Sequence, residues 1–258
     1  MKLFDLKGAA ALVTGAGRGL GLGIARGLAG AGCNVLLVAR TQHEIAAAAG
    51  ELRTLGIKAH YLVADTHQIS RLKDLITGCV ERFGRLDVLV PAAGYNLRSP
   101  ALDFSEEAWD EVLNVQLKSI FFLCQAAARQ MLGQEPLRSG SRGKIVLVTS
   151  LASVIGLPRI PAYASAKGGI SALTRNLARE WALEGIQVNE IGPGYFETEM
   201  TRGLFADPEW RAWCLSRIPM GRSGLPEDLA GTAVFLASAA SDYVTGQTIF
   251  VDGGWLVG

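Results

Sequence analysis

The sequence predicts an α/β fold: one domain on a doubly wound, Rossmann-type parallel sheet of about seven strands, with helices on both faces. Three observations carry this prediction. Short apolar runs alternate with long amphipathic stretches along the 258 residues. The short runs are rich in Val, Leu and Ile without polar alternation, as parallel strands covered on both faces read. Residues suited to ligand binding fall just after those runs, at the carboxyl edge where open parallel sheets bind ligands.

The first strand is Ala9-Ala10-Ala11-Leu12-Val13, ending at Thr14. Gly15, Ala16, Gly17, Arg18, Gly19, Leu20 and Gly21 follow at once, and a helical pattern begins at residues 24–29. Strand, glycine loop and helix is the context a dinucleotide site requires. Gly15 permits the tight turn. Gly19 lets the backbone approach a pyrophosphate, whose charge the helix N-terminus favours. The spacing is G-x-x-x-G-x-G, not the commoner G-x-G-x-x-G, and a flexible glycine turn is the bland alternative.

Further strands are expected near residues 34–39, 58–63, 86–91, 144–149, 187–191 and 248–251. Amphipathic stretches at 106–132 and 163–183 predict helices. Gly15, Arg40, Asp65, Gly94, Ser150 and Pro193 then each fall just after a strand, on one edge of the sheet. Residues 133–143, including Pro136, Arg138, Ser139, Ser141 and Arg142, read as a surface loop. No linker is visible, so one domain is expected over 1–258.

Hydrophobic residues make up 49%, enough for a core on both sides of a sheet. The net charge of +1 gives no electrostatic case for nucleic acid or an anionic membrane. No signal peptide is expected from Met1 to Lys7, and no apolar run approaches the roughly 20 residues of a membrane span. Cys33, Cys79, Cys124 and Cys214 are far apart and read as buried free thiols of a cytoplasmic protein. His43, His60 and His67 show no metal-ligand spacing, and no catalytic metal is expected.

The chemistry is concentrated at Tyr163 and Lys167. Four-residue spacing on a helix puts phenol and ammonium on one face. A phenol has an unperturbed pKa near ~10, and a nearby ammonium lowers it. Ser150, at the end of an apolar run, adds a hydroxyl that polarises a carbonyl. Together these groups exchange a proton with a carbinol or carbonyl oxygen while a cofactor handles the hydride. Taken alone, Tyr-x-x-x-Lys also fits a surface tyrosine beside a solvated lysine.

The glycine loop, Ser150, Tyr163-x-x-x-Lys167 and their spacing together resemble the classical short-chain dehydrogenase/reductase family, over essentially the whole chain. Gly194-Tyr195-Phe196-Glu197-Thr198-Glu199-Met200 and Pro226-Glu227-Asp228-Leu229 look most like its gluconate 5-dehydrogenase branch, with 3-oxoacyl-carrier-protein reductases nearly as close. The resemblance implies Tyr163 as general acid/base, Ser150 holding the substrate oxygen, and Lys167 also bonding the nicotinamide ribose. Asn114 would hold a proton-relay water; local helix hydrogen bonding is its alternative. Thr149 and Ser153 are weaker candidates for the Ser150 role.

Cofactor contacts are expected at Gly15, Gly17, Arg18, Gly19, Leu20, Arg40, Asp65, Thr66, Ala92, Ala93, Gly94, Tyr163, Lys167, Pro193, Gly194, Phe196 and Thr198. Asp65 would accept from the adenine amino group or cap the following turn. Thr198 would bond the nicotinamide carboxamide or cap a helix through Met200. Pro91-Ala92-Ala93-Gly94 departs from the family's Asn-Asn-Ala-Gly: Pro91 has no N–H, and the braces that relatives make here must pass to water or be forgone. By the same resemblance, residues 195–220, with Phe205, Trp210 and Trp213, correspond to a mobile substrate lid; an extra helix pair packed on the core is the compatible alternative. The terminal Trp255-Leu256-Val257-Gly258 caps either its own core or a neighbouring subunit.

The second strand ends Val38-Ala39-Arg40, without the acid that would accept from a ribose 2′-OH. That favours NADP(H), with Arg40 and Arg18 on the phosphate and NAD(H) as the alternative. The function expected is reversible oxidation of a secondary alcohol to a ketone, with sugar acids such as gluconate the first substrates to try. A 3-oxoacyl-carrier-protein reductase or other carbonyl reductase is the alternative, ahead of a non-enzymatic nucleotide sensor. Epimerases and dehydratases of this fold carry a longer C-terminal domain. The small-molecule enzyme is expected to be a homotetramer.

Overall fold

The computed structural model describes residues 2–136 and 141–258; Arg138 and Ser139 of the predicted surface loop lie outside them. Seven parallel strands form one sheet: β1 (Ala10–Thr14), β2 (Asn34–Ala39), β3 (Ala59–Val63), β4 (Val88–Pro91), β5 (Gly143–Val148), β6 (Ile186–Pro193) and β7 (Thr248–Val251). Their order is β3-β2-β1-β4-β5-β6-β7. The order reverses between β1 and β4, and that crevice opens at the carboxyl ends of the strands.

Each strand alternates between two cores. Ala11, Val13, Val35 and Leu37 face α1 (Gly19–Gly30) and α2 (Gln42–Arg53). Ala10, Leu12, Leu36 and Val38 face the side of α3 (Leu72–Phe83). Because both faces are covered, the strands need no polar alternation, which is why they read as continuous apolar runs. The chain continues through α4 (Glu106–Leu113), α5 (Ser119–Leu132), α6 (Pro161–Trp181), α7 (Arg202–Phe205), α8 (Pro208–Ser216) and α9 (Ala230–Ala237).

Three differences from the sequence reading shape the site. The helix predicted over 106–132 is broken into α4 and α5 by a π-helical turn, Asn114–Lys118. The extra residue rotates the helix faces there, so Val115 and Gln116 turn towards the crevice. Helix α6 begins at Pro161, two residues before Tyr163, because proline at the first position has no N–H to leave unsatisfied. Strand β6 runs on to Pro193, since Gly192 and Pro193 still pair with Phe250 and Val251 of β7.

The terminal Trp255 is only 5% exposed and packs in its own subunit's third core with Phe205, Cys214 and Ile218. All four cysteines are buried and unpaired. Among the described residues, no helix is long and apolar enough to cross a membrane.

Candidate active site

A cleft of ≈ 610 Å³ lies along the carboxyl ends of the strands. Every predicted site residue lines it except Asn114, which opens the π turn behind Val115 and Gln116. The glycine loop is built for backbone contact. Gly15 has φ of +66°, and a Cβ there would stand 2.7 Å from Ala93 Cα. A Cβ on Gly94 would meet the Gln116 amide at 2.5 Å. Small residues on both walls therefore keep the crevice wide enough for a flat, extended dinucleotide, and the glycine loop opens α1 towards it, as a pyrophosphate requires.

The Pro91 departure is accommodated by protein groups. Thr14 and Pro91 are register partners, and the β4–β5 ladder stops at Leu89, short of the missing N–H. The Ala93 N–H donates to Thr14 Oγ1 at 3.1 Å, and the Gln116 amide donates to the Tyr95 carbonyl at 2.5 Å. Thr14 and Gln116 thus brace the segment that was expected to depend on water.

Ser150, Tyr163 and Lys167 converge at this edge. Ser150 follows β5, accepts from the Ala152 N–H at 3.2 Å and faces the Tyr163 phenol. The neighbouring hydroxyls are otherwise engaged: Thr149 donates to the Lys167 carbonyl at 3.2 Å, and Ser153 to the Ser150 carbonyl at 2.7 Å. Burial pushes the Tyr163 phenol above its ordinary value, while the Ser150 hydrogen bond and the Arg98 charge pull it back. Lys167 Nζ lies 5.5 Å from the centroid of the Tyr163 ring and donates to the Val148 carbonyl at 2.8 Å. Burial brings this ammonium down to about 8, opposed by the charge of Glu190. The downward pull on the phenol, assigned to Lys167 from the sequence, thus comes here from Ser150 and Arg98.

At the other end of the cleft, Arg40 is exposed after β2 and has no hydrogen-bonded or ion-paired partner among the described residues. Arg18 is engaged: its guanidinium meets Glu44, in the first turn of α2, at 2.8 Å. Asp65 realises its turn-capping alternative, accepting from the His67 N–H at 3.0 Å and facing its Nδ1 at 2.6 Å. Burial opposes the Asp65 charge, but the His67 bonds prevail and hold the carboxyl below its usual value. Thr198 lines the cleft beside Gly19, and the helix it was expected to cap starts later, at Arg202, with Thr201 at its N-cap.

Sequence reasoning missed Glu44, His67 and Gln116. The short spacing of Asp65 and His67 is a turn signal; nothing local marks the other two. Of the arginines near the mouth, Arg98 lines the cleft, whereas Arg159 does not and Arg202 is paired with Glu199 at 2.6 Å.

A doubly wound sheet with a dinucleotide crevice and a Ser-Tyr-Lys constellation at its carboxyl edge defines a nicotinamide-dependent oxidoreductase of alcohols and ketones. The family model described as enoyl-(acyl carrier protein) reductase matches residues 15–256. The 2-dehydro-3-deoxy-D-gluconate 5-dehydrogenase of Escherichia coli (strain K12) is 45% identical over 259 residues, covering 99% of this chain and 98% of that protein. The gluconate 5-dehydrogenase of Gluconobacter oxydans (strain 621H) is 40% identical over 252 residues, covering 98% and 96%. A solved gluconate 5-dehydrogenase from Burkholderia cenocepacia J2315, in complex with NADP and tartrate, matches with a TM-score of 0.92 at 40% identity, covering 100% of this chain and 98% of that one. The chain belongs to the short-chain dehydrogenase/reductase family.

Proposed function

We propose that the protein is an NADP(H)-dependent oxidoreductase that interconverts a secondary alcohol and a ketone on a sugar acid of the gluconate/5-ketogluconate type. The observation that carries this reading is the meeting of Ser150, Tyr163 and Lys167 in the cleft walled by the glycine loop. The NADP of the Burkholderia relative and the names of the curated relatives support the cofactor and substrate class.

The glycine loop, Ala92, Ala93 and Gly94 would hold the dinucleotide, with Asp65 and Thr66 towards the adenine. Pro193, Gly194, Phe196 and Thr198 would border the nicotinamide. Bound NADP(H) supplies or accepts the hydride. Ser150 and Tyr163 hold the substrate oxygen between their hydroxyls. In ketone reduction Tyr163 gives its proton to that oxygen; in alcohol oxidation it takes one. Lys167 holds the ribose and keeps a positive charge beside the phenol ring. Asn114, behind the lining, acts through an intervening water as the proton relay.

Two features of the cleft support a sugar acid. Asn96 Oδ1 and Gln116 Oε1 are buried without a hydrogen-bond partner, and both residues line the cleft, which suits a polyhydroxylated ligand. Arg98 reaches the same end, where its charge acts on both Tyr163 and Tyr195. A guanidinium there suits a carboxylate. Arg98→Ala should raise KM for 5-ketogluconate by about 10–100-fold and leave KM for a neutral ketone near wild type. Steady-state kinetics on both substrates, following NADPH absorbance, checks this. Acetoacetyl thioesters turning over far faster than every sugar acid would replace the reading with a 3-oxoacyl reductase.

Residues 195–220 act as a lid: α7 and α8 set an aromatic underside against Trp255, with Tyr195–Trp255 centroids 4.7 Å apart and Phe205–Trp210 5.2 Å apart. The protein works in the cytoplasm as a homotetramer. Phe121, Phe122, Leu173 and Trp181 of α5 and α6 pack against the core but are only partly buried, and their exposed parts suit pairing with a second copy. Light scattering at micromolar concentration should give a tetrameric mass; a monomer would overturn the assembly.

A further inference from the structure

Glu190 is a carboxylate in the middle of a parallel strand, 0% exposed. It lies on β6 opposite Leu147 of β5 and Thr248 of β7, with its side chain under α6. Its Oε1 accepts from the Ser171 hydroxyl at 2.7 Å and from the Thr248 hydroxyl. Its Oε2 lies 2.9 Å from Thr174 Oγ1, whose single proton the Ile170 carbonyl also attracts at 2.9 Å. An oxygen that receives two O–H donors is arranged as a carboxylate. A buried anion is costly unless a cation answers it.

The cation that the Glu190 charge acts on is Lys167, at longer range than a direct ion pair. It stands one helical turn before Ser171 on the same face of α6. Its ammonium donates to the Val148 carbonyl, one residue along β5 from the register partner of Glu190. The other charges nearby point elsewhere. Tyr163 shares the α6 face; Arg98 approaches Tyr163 from the loop after β4. Lys144, on β5, faces the opposite side of the sheet and pairs with Asp242 at 2.9 Å. Leu147, Val148 and Thr248 carry no charge.

We propose that Glu190 is a positioning residue for Lys167: a fixed negative charge, held by hydroxyls of α6 and β7, that keeps the lysine ammonium charged in the cleft. The inference rests on the oxidoreductase reading of that cleft. The charge of Glu190 opposes the burial that draws Lys167 down to about 8. Without it, Lys167 loses its proton at a lower pH, and the basic limb of activity moves with it.

Glu190→Gln isolates the charge. The amide oxygen still accepts from Ser171 and Thr248. The amide NH2 donates to Thr174, which then donates to Ile170. The test is the pH profile of kcat/KM for ketone reduction by wild type and E190Q, with NADPH affinity measured by fluorescence at each pH. The two activity profiles should converge on the acid side. The basic limb of E190Q should fall about one pH unit earlier, so that the variant is about tenfold slower above roughly pH 9. NADPH affinity should weaken over the same range.

Parallel profiles, whether equal or uniformly scaled, would overturn the proposal, because a merely structural role lowers activity at every pH. If E190Q does not fold, Glu190→Leu with Ser171→Ala and Thr248→Val replaces the charge and both donors to Oε1 by apolar groups; it must move the limb the same way, and an unmoved limb overturns the proposal. Wild-type turnover in the same assay decides the oxidoreductase reading, whereas the variant-to-wild-type ratio across pH decides the role of Glu190.

Discussion

Tyr163→Phe should lower kcat by about 10²–10⁴-fold while NADPH still binds close to wild-type strength. The phenylalanine ring keeps the packing beneath Lys167, whose Nζ lies 5.5 Å from the ring centroid. Only the oxygen that carries the proton is lost. Ser150 retains its hydroxyl, but a serine neither gives nor takes a proton readily at neutral pH. Stopped-assay turnover and cofactor fluorescence separate the two effects, and near-normal turnover would sink the assigned chemistry. The same group sets a pH dependence of known sign. Burial raises the Tyr163 phenol above its ordinary value, so the protonated form prevails at neutral pH. Ketone reduction, which needs that proton, should hold through neutral pH and fall on the alkaline side. Alcohol oxidation, which needs the phenolate, should rise as pH increases.

Arg40→Asp should reverse coenzyme preference. Wild-type kcat/KM should favour NADPH over NADH on the order of tenfold to a hundredfold, and the variant should favour NADH. Arg40 is exposed and unpartnered, so its guanidinium is available to fork onto a 2′-phosphate. Solvent screening at an exposed site limits the effect. Arg18 is held by Glu44 at 2.8 Å, which places a negative charge beside the glycine loop. A carboxylate at position 40 restores the acceptor that a ribose 2′-OH requires and repels phosphate. Equal use of both coenzymes by the wild type, or an unchanged ratio in the variant, would show that Arg40 does not read the phosphate.

The fold was legible because its signals are local. Parallel strands buried on both faces leave unbroken apolar runs, and the observed strands begin and end within two residues of those runs. Gly15, Arg40, Asp65, Gly94 and Ser150 were legible for the same reason, since each closely follows its strand, and Tyr163 and Lys167 were legible from their helical spacing. What escaped depends on partners distant in sequence. The Arg18–Glu44 pair spans 26 residues, and the Ala93–Thr14 bond spans 79. The π turn at Asn114 escaped because one extra residue in a helix leaves composition and amphipathicity nearly unchanged. Glu190 was visible only as an acid in Val188-Asn189-Glu190-Ile191. Its cradle joins a helix 16 residues before it to a strand 58 residues after it.

The aromatic cluster under residues 195–220 also has an optical consequence. The chain has five tryptophans, and Trp210, Trp213 and Trp255 stand in one cluster of ring contacts at the mouth of the cleft. Trp213 and Trp255 also lie under the Arg217 guanidinium. Trp109 and Trp181 sit elsewhere, on α4 and at the end of α6. Two of the five tryptophans, Trp210 and Trp213, therefore lie in the proposed lid, and Trp255 packs against it. The protein carries its own spectroscopic probe, and the proposed lid movement can be tested in real time by emission wavelength and quenching, without an attached dye.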